Sequence, residues 1–108
     1  AAGAFGAHGL KTIITPEMLT VFETAVRYQM YHGLALLVLG GMLHPESSSM
    51  FTRAGWCWVL GVFLFSGSLY VVALSGIRWL GAITPLGGLA FVIGWSLVAW
   101  GVRRQPTC

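Results

Sequence analysis

Residues 54–75 read AGWCWVLGVFLFSGSLYVVALS, a run without one Asp, Glu, Lys or Arg. At about 1.5 Å of rise per residue an α-helix of this length extends roughly 33 Å, and the hydrocarbon core of a bilayer is about 30 Å thick. The run therefore reads as a membrane span. A second uncharged stretch follows at 79–102 and reads the same way. Between them Gly76-Ile77-Arg78 leaves room only for an antiparallel return. Upstream, Thr15-Pro16-Glu17 carries a helix start: an N-cap, a proline that fits the first turn and an acid at the positive end of the helix dipole. That helix is expected over 16–43, where Gly40-Gly41 weakens it and His44-Pro45 stops it.

Composition agrees. The hydrophobic fraction is 56% and the charged fraction 8%, with a mean hydropathy of +0.80. Soluble domains carry about 25% charged residues, so this chain cannot cover a water-facing surface. Its 108 residues suffice for one domain, 1–108. The net charge of +3 comes from Lys11, Arg53, Arg78, Arg103 and Arg104 at segment ends, with Arg27 inside a helix. This is the placement of headgroup anchors, and no basic stripe for nucleic acid forms. The five tryptophans, Trp56, Trp58, Trp79, Trp95 and Trp100, crowd toward span ends as interfacial anchors do. Cys57 and Cys108 give no disulfide framework and no metal-ligand spacing. The reading is an all-α, multi-pass helical membrane bundle with three full transmembrane helices (16–43, 54–75, 79–102), a polar loop at 44–53 and lipids as its solvent.

Residues 1–10, AAGAFGAHGL, hold glycine at positions 3, 6 and 9. No strand precedes them and no Lys-Ser/Thr follows, so a phosphate loop is the weaker reading. A close-packed helix end is the stronger one, the tail of a first helix whose beginning lies outside this chain. The expected packing positions are Gly6, Gly61, Ser66, Gly67, Ser68, Gly87, Gly88 and Gly94. Pro85, one turn into 79–102, is expected to kink or restart that helix.

Chemistry, if present, leans on the start of the 16–43 helix. Glu23 and Arg27 stand four apart in the favourable order for pairing along one face. Pro16 to Leu43 would extend about 42 Å, and the surplus over the hydrocarbon core allows both charges to sit at headgroup level as an ordinary ion pair. Tyr28, Tyr31 and His32 then read as interfacial aromatics and polar tips. If instead the helix enters the membrane near Thr20, then His8, Glu23, Arg27, Tyr28, Tyr31 and His32 become a polar site. No nucleophile–base set, metal cluster or cofactor loop emerges, so an enzyme is not expected, nor a cofactor. Two functions follow: a non-enzymatic accessory or structural subunit packed against a larger membrane complex, or a small oligomeric transporter or proton pathway using the polar cluster. Partners are expected to be other membrane proteins or further copies of the chain.

Four stretches carry a resemblance: Gly3-Ala4-Phe5-Gly6-Ala7-His8-Gly9-Leu10, Thr24-Ala25-Val26-Arg27-Tyr28-Gln29-Met30-Tyr31-His32, Phe65-Ser66-Gly67-Ser68-Leu69-Tyr70 and Ile83-Thr84-Pro85-Leu86-Gly87-Gly88. In this order they resemble the motifs of a small bacterial inner-membrane family, numbered 423 among the domains of unknown function. Eukaryotic transmembrane protein 256 is placed in the same group. The resemblance runs from about Gly3 to Trp95. It implies a four-helix membrane protein whose first helix ends at the Gly/Ala/His motif, and this sequence departs from that pattern by lacking most of that helix. It implies no established activity, so no catalytic residue is carried over.

Overall fold

The computed structural model describes residues 1–43 and 49–104. These are helical, with no strand among them. A short α1 (Ala2–His8) leads through a 3-10 turn (Leu10–Thr12) into α2 (Pro16–Met42). Next come α3 (Ser49–Gly61), a π-helical turn (Val62–Ser66) and α4 (Gly67–Ser75), which follow one another without a break as one rod. A 3-10 segment (Arg78–Ile83) then leads into α5 (Thr84–Arg104).

The local signals act as their chemistry requires. Thr15 caps α2, its hydroxyl accepting from the Met18 N–H at 3.2 Å. Gly76 ends α4 at φ 74°, the left-handed conformation glycine adopts without strain. Pro85 does not kink a continuous helix: it sits in the first turn of α5, after the 3-10 segment, where its missing N–H costs nothing. The stop expected at His44-Pro45 falls outside the described residues. The polar loop expected to reach residue 53 is shorter, because α3 already begins at Ser49. Phe51 is buried, and an added Cβ on Gly101 would meet its ring at 2.9 Å, so packing against α5 draws the first turn of α3 into helix.

Two segments combine the length and apolarity of a membrane span: Ser49–Ser75, mean hydropathy 2.1, and Arg78–Arg103, mean hydropathy 1.8. The third expected span, α2, has the length at 27 residues, but its first half is too polar to match them. The outer surface suits lipid. Leu37, Val38, Trp56, Phe63, Leu74, Trp79 and Val92 are all well exposed on the long helices and their connection. In water such a surface would be an aggregation liability; in a bilayer it faces its own solvent. The molecule is only 16 Å along its shortest axis, little more than one helix diameter of about 10–12 Å, so its helices lie side by side.

What holds the slab is a seam between α3 and α5. Phe51, Trp58 and Phe65 recur every seven residues, and so do Gly87, Gly94 and Gly101 on the antiparallel partner. A Cβ added to Gly101 would meet the Phe51 ring at 2.9 Å, one on Gly94 the Trp58 indole at 2.6 Å, and one on Gly87 the backbone N of Phe65 at 2.3 Å. At Gly61 the roles reverse: its missing side chain admits the Phe91 ring, which an added Cβ would meet at 2.5 Å. Each aromatic knob thus fills a hole that only glycine leaves open. The π turn lies where Gly87 presses on Phe65. There α2 also joins, packing along the π turn and α4 while α5 runs along α3. Ser66 ties that junction: its buried hydroxyl donates to the Ala25 carbonyl of α2 at 2.7 Å.

The expected packing positions divide accordingly. Gly6, Gly61, Gly87 and Gly94 make tight contacts, Gly6 against the Phe22 ring. Ser68 donates to the Phe65 carbonyl at 2.9 Å and shares a 2.6 Å bond with the Thr84 hydroxyl. Gly67 faces open space, and Gly88 touches only the rim of Phe65 at 3.9 Å. Trp58 is no interfacial anchor either; it is 2% exposed, the largest fully buried side chain among the described residues.

This division predicts opposite outcomes for two alanine substitutions. Gly87→Ala forces a methyl onto backbone atoms and should lose about 1–3 kcal/mol. Gly67→Ala meets nothing and should be neutral, or more stable by up to about 1 kcal/mol through helix propensity. Thermal unfolding of both variants in one detergent measures the difference.

Candidate functional site

The seam delivers Phe91 to the face of α2, and there it stacks on His32. The two rings lie 3.6 Å apart and 7° from parallel. His32 is 5% exposed. Its Nδ1 lies 2.8 Å from the Tyr28 carbonyl one turn back, and its Nε2 accepts from the Trp95 indole N–H at 3.0 Å. A carbonyl can only accept and an indole N–H can only donate. The two bonds together therefore assign the neutral tautomer with the proton on Nδ1. Trp58 meets the same imidazole edge-on at 6.1 Å and Trp95 at 5.9 Å, the two indoles lying 4.5 Å apart, so α3 and α5 both close on this histidine of α2. Tyr28 completes the wall against Phe65 and Phe91. The Trp58 indole N–H is buried with no acceptor among the described residues; it lies against Gly94, where nearest-neighbour packing takes precedence over its hydrogen bond.

On the opposite side of α2 lies a groove of about 230 Å³, lined by Gly3, Phe22, Glu23, Val26, Arg27, Met30 and Tyr31. Glu23 and Arg27 are exposed there. Their depth follows from Ser66. That residue stands midway in sequence between Arg53 and Arg78, which flank the apolar rod, and its hydroxyl holds Ala25. Glu23 and Arg27 sit two residues to either side of Ala25, about 3 Å along the helix axis. They therefore stand beside the tie to the middle of the rod, inside the Glu17 end of α2. The ion pair at the edge is a different one: Arg78 Nη1 to Glu17 Oε1 at 3.0 Å, joining the start of α2 to the segment after α4. No ion pair joins Glu23 or Arg27 to each other or to another described residue.

Of the six polar residues expected to cluster, five stand on α2 and are divided between its two faces. His32 faces inward. Glu23, Arg27 and Tyr31 face outward. Tyr28 stands at the boundary, its ring 6.0 Å from that of Tyr31 and 6.4 Å from that of His32. His8 ends α1 and is exposed; α1 runs back along α2, Gly3 beside Val26 and Gly6 beside Phe22, which carries His8 toward the Pro16 end. His32 is a core residue, not an interfacial tip.

Trp95 and Phe91 were not expected at the site, nor Trp58. The signal was present in the seven-residue recurrence of aromatics in 51–65 and of glycines in 87–101, which pairs only when the two runs are read antiparallel. Gln29 was missed as well; it accepts from the Tyr70 hydroxyl across α2 and α4. Among the described residues no three His, Cys, Asp or Glu side chains converge as a metal site.

With this geometry in place, comparison with known proteins is informative. The model of the family described as "Protein of unknown function (DUF423)" matches residues 2–88. Similar relatives include the UPF0382 membrane protein SH2409 of Staphylococcus haemolyticus, 52% identical over 96 residues, covering 89% of this chain and 78% of the relative. The UPF0382 membrane protein SSP2132 of Staphylococcus saprophyticus is 48% identical over 102 residues, 94% of this chain and 84% of its own length. The UPF0382 membrane protein YwdK of Bacillus subtilis is 48% identical over 97 residues, 89% and 79% of the two chains. No solved structure matches.

The imidazole arrangement predicts a spectroscopic signature. In nitrogen-15 NMR of labelled protein in bilayers, His32 Nδ1 should carry the proton and Nε2 should resonate as an acceptor. Trp95→Phe should remove the donor and leave Nε2 buried and unsatisfied, at a cost of about 1–3 kcal/mol in unfolding. An Nε2-protonated ring in the parent would contradict the assignment.

Proposed function

The chain belongs to the DUF423 family, membrane proteins of unknown function, and from that premise we propose that it is a non-enzymatic accessory or structural subunit. In this reading it is a multi-pass protein of the bacterial inner membrane, and the outward face of α2 is what it packs against a larger membrane complex. The supporting observation is the placement of Glu23 and Arg27. A charged side chain at mid-depth is costly when it faces lipid, so such residues face protein or a water-filled space. Among the described residues both are exposed, beside a groove they share with Gly3 of α1. The glycines of the α3–α5 seam, Gly61, Gly87, Gly94 and Gly101, are filled by the chain's own aromatics. The polar stripe of α2 is left as the surface that needs a partner.

A proton or ion pathway through the six polar residues is the weaker reading. His32 and Glu23 point to opposite sides of one helix, and both nitrogens of His32 are engaged.

Purification from native membranes in mild detergent, with identification of co-purifying chains, tests the proposal. The parent should bring down a stoichiometric membrane partner. Arg27→Ala should lower that yield at least tenfold, which corresponds to about 1.4 kcal/mol of lost association. It should leave the melting of the chain itself unchanged, since exposed substitutions usually stay within about 0.5 kcal/mol. Equal recovery with the variant, or a parent without a partner, would contradict the reading.

A further inference from the structure

Where the second half of α2 leaves the seam, an apolar groove of about 260 Å³ opens between three helices. Its inner end is formed by Ala35 of α2, Trp58 of α3 and Trp95 of α5, and its outer end by Met42, Phe51 and Val102. The two ends are seven residues apart on each wall, about 10 Å of helix, so the groove follows the helix axes. It shares no residue with the groove beside α1, whose α2 wall runs through Val26, Met30, Leu34 and Leu37, nor with the one that holds Glu23 and Arg27. Two arginines stand at the level of its outer end. Arg103 follows Val102 directly, Arg53 lies two residues from Phe51, and both are exposed. Neither forms an ion pair with a described residue. The acids among the described residues, Glu17 and Glu23, both belong to the other end of α2.

We infer that this groove holds one acyl chain of an anionic phospholipid, with the headgroup beside Arg103. Size and chemistry choose the occupant together. The volume is below the roughly 300–1,000 Å³ of pockets that enclose drug-sized molecules, and a transmembrane helix about 10–12 Å across is too wide for it. A single hydrocarbon chain fits, and it runs along the helices as lipid chains do. The walls offer a polar ligand nothing: the Trp95 N–H is already given to His32, and the Trp58 N–H lies buried against Gly94. The segments of this chain nearest the outer end are His44-Pro45-Glu46-Ser47-Ser48 and Gln105-Pro106-Thr107-Cys108, both too polar to fill an apolar groove. Charge then selects the headgroup, because basic residues beside a groove between membrane helices attract anionic lipids, and a guanidinium can meet a phosphate through two hydrogen bonds. The chain would also complete the packing of α2, of which Leu39 is the only buried residue beyond His32. The accessory-subunit reading rests on other residues and is not needed for this inference.

Native mass spectrometry of the full-length chain in detergent, titrated with phosphatidylglycerol or with phosphatidylcholine of the same acyl chains, provides the test. The parent should retain one lipid and favour phosphatidylglycerol about tenfold. Val98→Phe puts a ring into the groove and should weaken binding of both lipids by about tenfold or more. Val38→Phe is a second filler at a well exposed rim position, so it should do the same without disturbing the core. Leu37→Phe adds the same ring one residue away, outside the groove, and should bind like the parent. Arg53→Gln with Arg103→Gln should erase the preference for phosphatidylglycerol and leave phosphatidylcholine binding as it was. Fillers that bind like the parent, or a Leu37→Phe loss equal to theirs, would show an unspecific lipid shell and overturn the inference. A parent that retains no lipid would overturn it as well, and so would a preference that survives loss of both arginines.

Discussion

Aromatic knobs in glycine holes are the constraint on which this molecule depends. A helix pair in lipid gains little from the hydrophobic effect, because the tails outside are as apolar as the side chains inside. Association must come from close packing, and α3 and α5 obtain it by matching Phe51, Trp58 and Phe65 to Gly101, Gly94 and Gly87. The match fixes register and direction together. A slip of one residue would set a ring against a Cβ and leave a hole unfilled. It also fixes what comes next, because the single reversal, Phe91 in the hole at Gly61, turns an aromatic face toward α2 and gives His32 a surface to stack on.

From this follows the division of α2. Its inner face is held by His32 on Phe91 and Trp95, by the Ser66 hydroxyl on the Ala25 carbonyl, and by Phe22 beneath Tyr70. These contacts set the helix's rotation, and rotation decides where every other polar residue points. Once His32 is turned in, Glu23 and Arg27 are turned out. Glu17, six residues before Glu23, holds the end of α2 in its pair with Arg78. The polar residues of α2 are thus divided: one histidine organises the core, and an acid and a base stand on the exposed face.

Much of the fold could be read from the sequence. Uncharged runs, a Thr-Pro-Glu start and a glycine stop are local signals, and the helices fall close to where these place them. The family named by the resemblance is the one the chain belongs to. The site was less legible, for a physical reason. Helical periodicity shows that Glu23 and Arg27 share a face and that His32 lies on its flank, but not which face meets protein. That is decided by partners far away in the chain, such as Ser66 and Trp95. Length arithmetic favours the headgroup region for Glu23 and Arg27 without telling at which end the surplus of a long helix protrudes. Trp58 was misread as an anchor by the same limit: proximity to a span end is a sequence property, while facing a glycine is a tertiary one.

The depth and surroundings of Arg27 test this account most directly. A spin label placed singly at positions 23, 27 and 63 in reconstituted bilayers can be probed with oxygen, which concentrates in the lipid core, and with a water-soluble nickel complex. The account predicts that labels at 23 and 27 lie as deep as the one at 63, exclude the nickel complex, and collide with oxygen far less than position 63 does, because protein covers them. Ready access of the nickel complex to position 27 would place the charge pair in the headgroup region. Oxygen access equal to that at 63 would mean that lipid alone covers the stripe, and either result would contradict the account.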